Sequence, residues 1–235
     1  MDINIITWQE ELRKVANEEK AVVLRRFFKT GKGEYGEGDV FIGITVPQNR
    51  EIAKTKFSLP YSCFETMLKS EIHEFRFSAL LALVTKFKKI KDKRKEILDF
   101  YMSHTSACNN WDLVDLSAPY ILGEYLLTNP NSALLDSLSR STNMWEQRIA
   151  IVCTLTLIRR GLFDDSLRLA ERYLTHTHPL IHKATGWILR EIGKKNITTL
   201  RSFLDKLASK MPRTALRYAI EKMDAEERTH YLHMK

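Results

Sequence analysis

The chain has 235 residues, of which 44% are hydrophobic, so it can bury a substantial core as one large domain or as a repeat array. The strongly apolar, uncharged run at residues 149–158 is too short to cross a bilayer, and the first residues lack the basic-then-apolar pattern of a signal sequence. Three widely spaced cysteines form no metal motif and predict a reducing, cytoplasmic location. The net charge of +8 makes a polyanion the first partner to consider.

Apolar residues recur at three- and four-residue spacing along most of the chain, which predicts an all-α protein. The predicted helices cover residues 8–28, 61–68, 75–87, 95–102, 111–127, 132–138, 146–160, 165–174, 180–192, 198–208 and 212–223. No segment shows a convincing alternation of apolar and polar residues, which would indicate a half-buried strand.

A glycine-rich segment, residues 31–39, follows the first predicted helix and contains the Gly-x-Gly-x-x-Gly pattern of dinucleotide-binding loops. That pattern needs a preceding strand and a following helix whose N-terminus meets the pyrophosphate. Here a basic helix precedes it, and the carboxylates of Glu34, Glu37 and Asp39 would repel phosphate. We therefore interpret the segment as a loop, to which the sequence assigns no role, and expect no bound cofactor.

Five residues near predicted helix starts recur at intervals of 36, 36, 35 and 30 residues, with one further amphipathic helix between successive members: Arg76, Asp112, Arg148, Lys183 and Arg213. A period of this length with two helices per unit is typical of TPR- or HEAT-type solenoids. We expect a single domain over residues 1–235, an α-solenoid of stacked antiparallel helix pairs. N-terminal helices and the glycine-rich loop would occupy residues 1–60 and helical repeats residues 61–225. One helix of each pair should line a concave surface, where four of the five starts offer a cation to an extended anion.

A tryptophan and two carboxylates open the apolar helix predicted at 111–127. Asp112 is explained by its place in the first turn, where an acid complements the helix dipole. Asp115 lies beyond that turn, one helical step past Trp111 on the same face. A carboxylate in this setting needs a partner or a chemical role, so a salt bridge to a neighbouring helix and a catalytic function both stay open.

The residues Lys183, Trp187, Arg190 and Lys194 step by four, three and four, which places them on one helical face. Cations flanking an aromatic ring suit contacts with phosphate and sugar. The alternative is a tryptophan packed between helices, with the cations on its solvated rim.

Three segments resemble, in order and spacing, the signature segments of the AlkD family of alkylpurine DNA glycosylases, bacterial repair proteins built from HEAT-like repeats. They are Trp111-Asp112-x-x-Asp115, Trp145-x-Gln147-Arg148-x-Ala150 and Lys183-Ala184-x-Gly186-Trp187-x-Leu189-Arg190-Glu191. Residues 41–50 also resemble the N-terminal segment of that family. The resemblance implies that Asp115 is the catalytic carboxylate and that Trp111 and Trp187 frame the deoxyribose of the lesion. It also implies that Arg148 contacts the DNA backbone.

The chemistry of such a site is coherent. A purine alkylated at N3 or N7 is positively charged and leaves without a general acid, while a nearby carboxylate stabilises the oxocarbenium ion on the sugar. We therefore predict a metal-independent glycosylase that excises these purines from duplex DNA in base excision repair, as a cytoplasmic, nucleoid-associated monomer. Its expected DNA-binding cations are Arg148, Lys183, Arg190, Lys194, Arg76 and Arg213. The alternatives are a catalytically silent DNA-binding relative and a HEAT-type protein scaffold.

Overall fold

The computed structural model describes residues 2–234, which form helices joined by turns and loops, without a β-strand. One isolated parallel bridge joins Val40 and Ile72. The prediction of an all-α protein is therefore confirmed. None of the helices in the described part of the chain combines the length and apolar character of a membrane span. The chain divides into two compact units, Met1–Ser117 and Ala118–Lys235.

In the N-terminal part of the first unit, the apolar periodicity predicted the helices only in part. The helices of the first unit are α1 (Ile3–Lys14), α2 (Glu18–Phe27), α3 (Val46–Ala53), α4 (Tyr61–Leu68), α5 (His73–Lys89), α6 (Arg94–Ser103) and α7 (Trp111–Ser117). The single helix predicted at 8–28 is wrong, because Asn17 begins a new helix by accepting a hydrogen bond from the Lys20 amide. The unpredicted α3 begins where Gln48 accepts a hydrogen bond from the Thr45 amide, 3.0 Å away.

Two predicted helices, at residues 111–127 and 146–160, are interrupted in the structure. The helices of the second unit are α8 (Glu124–Leu126), α9 (Ser132–Ser139), α10 (Met144–Val152), α11 (Leu155–Arg159), α12 (Asp164–Arg172), α13 (Pro179–Lys195), α14 (Ile197–Leu207), α15 (Arg213–Ala219) and α16 (Ala225–His233). The prediction of one helix at 111–127 is wrong, because a π-helical turn at Pro119–Gly123 lies between α7 and α8. Pro119 has no N–H to continue the α-helical ladder, which accounts for the change of winding.

The two-helix period is present in the structure. The five residues at regular intervals lie near the starts of α5, α7, α10, α13 and α15, and one further major helix separates each pair. Within the first unit α5 packs against α7, and within the second α10 packs against α13 and α13 against α15. The chain is thus a helical-repeat protein, while the concave basic surface stays a prediction.

Close packing in this series explains one glycine of the third signature segment. A Cβ atom on Gly186 of α13 would lie 2.3 Å from the carbonyl oxygen of Ala215 in α15. No other residue type allows the two helices to approach this closely, because that distance is far below van der Waals contact.

The core holds the three cysteines, which are all free and buried. Burial raises the pKa of the Cys63 and Cys153 thiols, and it raises the pKa of Cys108 to about 12. The core also encloses Trp8, whose indole N–H donates to Ser78 Oγ at 2.9 Å.

Candidate functional site

The start of α7 presents Trp111 and Asp115 one turn apart on the same helical face, and both side chains are half-buried. The Asn110 side chain accepts a hydrogen bond from the Trp111 amide at 2.8 Å and so supports the start of the helix. The indole of Trp111 stacks on Phe28, with ring centroids 5.4 Å apart and planes inclined by 20°. The exposed ring of Phe27 meets Trp111 edge-on at 5.9 Å. Trp111 is therefore packed on one side while part of its surface stays accessible.

Asp112 does more than complement the helix dipole. One carboxylate oxygen accepts the Leu113 amide at 2.8 Å, and the other lies 2.8 Å from Nε2 of His73. The His73 ring is only 2% exposed, and its Nδ1 lies 3.1 Å from a carboxylate oxygen of Asp39. The imidazole thus bridges two acids from different parts of the first unit.

Arg76 completes this cluster. Its Nη2 donates to Asp39 Oδ1 at 2.6 Å and to Asn109 Oδ1 at 3.0 Å, while Nη1 donates to the Ser70 carbonyl at 2.6 Å. The side chain is buried, with 4% exposure of the residue. The expectation that Arg76 binds DNA is therefore corrected, because its guanidinium is already enclosed and paired with a carboxylate.

We call Asp39, His73, Arg76 and Asp112 the buried ion network. Burial by itself lowers the pKa of His73, but the charge and hydrogen bond of Asp112, joined by the hydrogen bond of Asp39, raise it to about 9. Burial also opposes ionisation of Asp39, yet the hydrogen bond from His73 and the charge of Arg76 hold the pKa of Asp39 below its usual range. At neutral pH the histidine is therefore an imidazolium, and it forms ion pairs with both carboxylates.

The glycine-rich loop is tied into the same network, and its interpretation as a loop is confirmed. The amides of Gly31 and Gly33 donate to the carboxylates of Glu34 and Glu37, at 2.9 and 2.8 Å. Backbone N–H groups that could have bound a phosphate are thus occupied by acidic side chains. The loop ends at Asp39, which gives the segment the role that the sequence did not assign.

The second unit carries the predicted stripe of α13, in which Lys183 and Lys194 are exposed and Trp187 is half-buried. The Trp187 indole N–H donates to Glu191 Oε1 at 3.2 Å, and the same oxygen pairs with Lys194 Nζ at 2.6 Å. Arg190 forms an ion pair with Glu221. Two of the three stripe cations are therefore partly neutralised, whereas Lys183 has no ion pair within residues 2–234.

The remaining predicted cations differ in exposure. Arg148 is only 5% exposed, and its Nη1 donates to the Leu180 carbonyl in the first turn of α13 at 2.7 Å. Arg213 is exposed, and its Nη1 donates to the Leu232 carbonyl at 2.9 Å. Of the four cations near the starts of the repeat helices, Arg76 and Arg148 are therefore buried, whereas Lys183 and Arg213 reach solvent. No group of three or more His, Cys, Asp or Glu side chains in the described residues is arranged to hold a metal ion.

The network predicts a pH-dependent stability. The pKa of His73 is about 9 in the folded protein and near 6.5 when the chain is unfolded, so its contribution is complete below pH 6.5 and is lost as pH rises through about 9. A shift of this size corresponds to roughly 3 kcal/mol. We expect the free energy of unfolding, measured by chemical denaturation, to fall between neutral pH and about pH 10.

The matched variant is Asp112→Asn, whose amide can donate to Nε2 of a neutral His73 and keep the contact without the charge. Its decline should begin at lower pH, because the largest influence that raises the pKa of His73 is gone. Parallel pH curves for the two proteins would contradict the proposed ion pair.

Comparisons with known proteins agree with this fold. A family model described as "DNA alkylation repair enzyme" matches residues 8–223. A structure described as a predicted DNA alkylation repair enzyme from Enterococcus faecalis superposes with a TM-score of 0.67 at 17% identity, over 89% of this chain and 97% of its own. AlkD2 from Streptococcus mutans gives 0.57 at 19% identity, over 94% and 98%. Comparison with curated proteins finds no significant match. Since the family model covers most of the chain, this protein belongs to the family of DNA alkylation repair enzymes.

Proposed function

We propose that this protein is a DNA glycosylase that removes N3- or N7-alkylated purines from duplex DNA and so begins base excision repair. The observation that carries the proposal is a half-buried carboxylate, Asp115, one turn after Trp111 on α7, in a chain of the DNA alkylation repair enzyme family. We also propose a bacterial, cytoplasmic setting, and the bacterial sources of the similar structures support the first part of that proposal.

The reaction breaks the bond between the sugar C1′ and the purine nitrogen, and the electron pair leaves with the base. Because alkylation has already made the base cationic, the bonding pair neutralises it and no general acid is required. The carboxylate of Asp115 stabilises the oxocarbenium ion that forms on the deoxyribose and accepts a proton from the attacking water. The accessible face of the Trp111 indole can further stabilise the positive charge that develops on this sugar. The products are the free base and an abasic site.

DNA binding is proposed to depend on fewer cations than the sequence suggested. Lys183 and Arg213 are exposed and available to phosphates. Arg190 and Lys194 would have to exchange Glu221 and Glu191 for phosphate oxygens. Arg148 supports the first turn of α13 through Leu180, so we assign it to holding Lys183 and Trp187 in place as well as to the backbone contact that the family resemblance implies.

Asp115→Asn should lower the rate of base release by roughly two to three orders of magnitude, the scale expected for loss of one preorganised electrostatic group. Affinity for DNA should stay the same or rise slightly, because a negative charge near phosphates is removed. The measurement is release of 7-methylguanine and 3-methyladenine from methylated duplex DNA, with enzyme in excess. Asp164→Asn, which removes an exposed acid from the first turn of α12, is the matched control.

Near-normal release by Asp115→Asn would overturn the catalytic assignment. Binding without release by the unmodified protein would favour a catalytically silent DNA-binding relative. Absence of DNA binding together with tight binding to a protein would favour a scaffold. A chelator should leave the rate unchanged, because the proposed chemistry uses no metal.

Trp187→Ala tests whether that indole serves DNA rather than the core. If Trp187 contacts the sugar, base release should fall with a modest loss of melting temperature, and Trp187→Phe should restore more activity than Trp187→Leu, because a flat π face is required. The matched control is Trp8→Ala. Because Trp8 is fully buried, this variant should be about 3–5 kcal/mol less stable than the unmodified protein. Equal losses of stability in both variants would assign Trp187 to packing.

Lys183→Ala should weaken binding to all duplex sequences alike and flatten the dependence of log affinity on log salt concentration by about one unit, because one phosphate contact is lost. Lys210→Ala removes another exposed lysine of the second unit, outside the predicted DNA-binding set, and should leave the slope unchanged. Titration of labelled undamaged duplex at several salt concentrations gives the slopes. Identical slopes for all three proteins would remove Lys183 from the DNA-binding surface.

A further inference from the structure

We propose that His73 is a positioning residue for the reaction at Asp115: held between Asp39 and Asp112, it fixes the first turn of α7, from which Trp111 and Asp115 project. This inference rests on the proposed glycosylase function. It adds a residue that carries no reacting atom and that none of the signature segments includes.

Two routes lead from the His73 ring to Trp111. The first is the contact between His73 Nε2 and the carboxylate of Asp112, the residue that follows Trp111. The second is a column of aromatic rings, in which His73 packs against Phe28 at 5.2 Å and Phe28 stacks on Trp111. Movement of the imidazole would therefore displace both the backbone and the indole at the start of α7.

The residues that flank Trp111 in the chain are hydrogen-bonded to the buried ion network. Asn109 donates to Asp39 Oδ1 at 2.9 Å and accepts from Arg76, and Asn110 donates to Asp39 Oδ2 at 3.4 Å. The three polar side chains of residues 109–112 thus all bind Asp39, Arg76 or His73. Such complete local fixation is what a carboxylate needs if its distance to the sugar is to be held within fractions of an ångström.

The charge of His73 follows from the groups that face it. Asp39 approaches from the loop and Asp112 from α7, while Arg76 lies one turn along α5. Glu74, also on α5, directs its carboxylate to the amides of Ile42, Gly43 and Ile44. The His73 ring is covered by Phe41 at 4.4 Å and reaches no solvent-exposed reactant, so it acts through Asp112 and does not act as an acid or base on DNA.

The variants that test this role are Asp112→Ala and Asp112→Asn. Replacement of His73 itself risks unfolding, because the side chain is buried between charges, whereas Asp112 is half-buried. Asp112→Ala breaks the link and should lower the single-turnover rate of base release by about 100-fold, the scale of an ångström-sized misplacement. Asp112→Asn keeps the link through its amide and should restore most of that rate. DNA affinity should change little in either variant, and Asp164→Ala controls for loss of a first-turn acid.

A second readout does not require activity. Labelling the four tryptophans with 5-fluorotryptophan gives separate fluorine resonances, and Trp111→Phe identifies the one from Trp111. Asp112→Ala should shift or broaden this resonance, Asp112→Asn should largely restore it, and Asp164→Ala should leave it unchanged. In the unmodified protein it should titrate with a midpoint near pH 9, and in Asp112→Asn at a lower pH.

The outcomes separate the two proposals. If the unmodified protein releases no base, the glycosylase proposal fails, and the Trp111 resonance alone decides whether the His73–Asp112 link positions α7. An unchanged resonance in Asp112→Ala overturns the positioning role, whatever the activity. A normal rate of release in that variant overturns it for the reaction. Equal loss of rate in Asp112→Ala and Asp112→Asn also overturns it, because the amide should preserve the contact.

Discussion

The ionised carboxylate of Asp39, enclosed beside a guanidinium and an imidazolium, is the group on which the candidate site in the first unit depends. A buried charge is tolerated only when it is paired and fully hydrogen-bonded. Asp39 meets that condition by collecting donors from Arg76 and His73 on α5 and from the two asparagines that precede α7. Loop, repeat helix and site helix are therefore joined at one acid, and loss of Arg76 or His73 would leave its buried charge less well compensated.

Two of the arginines near helix starts have structural roles, whereas Arg213 and Lys183 lie at the surface. Arg76 and Arg148 are buried, and each donates to a backbone carbonyl near the start of a repeat helix. Lys183 is exposed. A planar guanidinium can serve several acceptors at fixed angles while it stays charged, whereas a lysine is a compact charge that is better left in water. A cation near the start of a repeat helix therefore stabilises the fold in some repeats and stays available to a ligand in others.

The periodicity of apolar residues predicted most helices, because packing of one face imposes a spacing of three and four residues. The regular intervals between five residues near helix starts predicted the two-helix repeat. The separation of four residues placed Trp111 and Asp115 on one helical face. The break at Asn17 was missed, since the apolar pattern continues across it. The buried ion network was beyond such reasoning, because His73 meets partners 34 and 39 residues away. An arginine near a helix start looks the same in sequence whether it binds phosphate or a buried acid.

The environment of the cysteines has a consequence for the conditions in which a DNA alkylation repair enzyme acts. The electrophiles that methylate purines also attack thiolates, and the thiolate rather than the thiol is the reactive form. All three cysteines are buried and have raised pKa values, so they stay protonated and out of reach of such reagents. In the folded protein the thiols are therefore poor targets for the electrophiles that create DNA lesions.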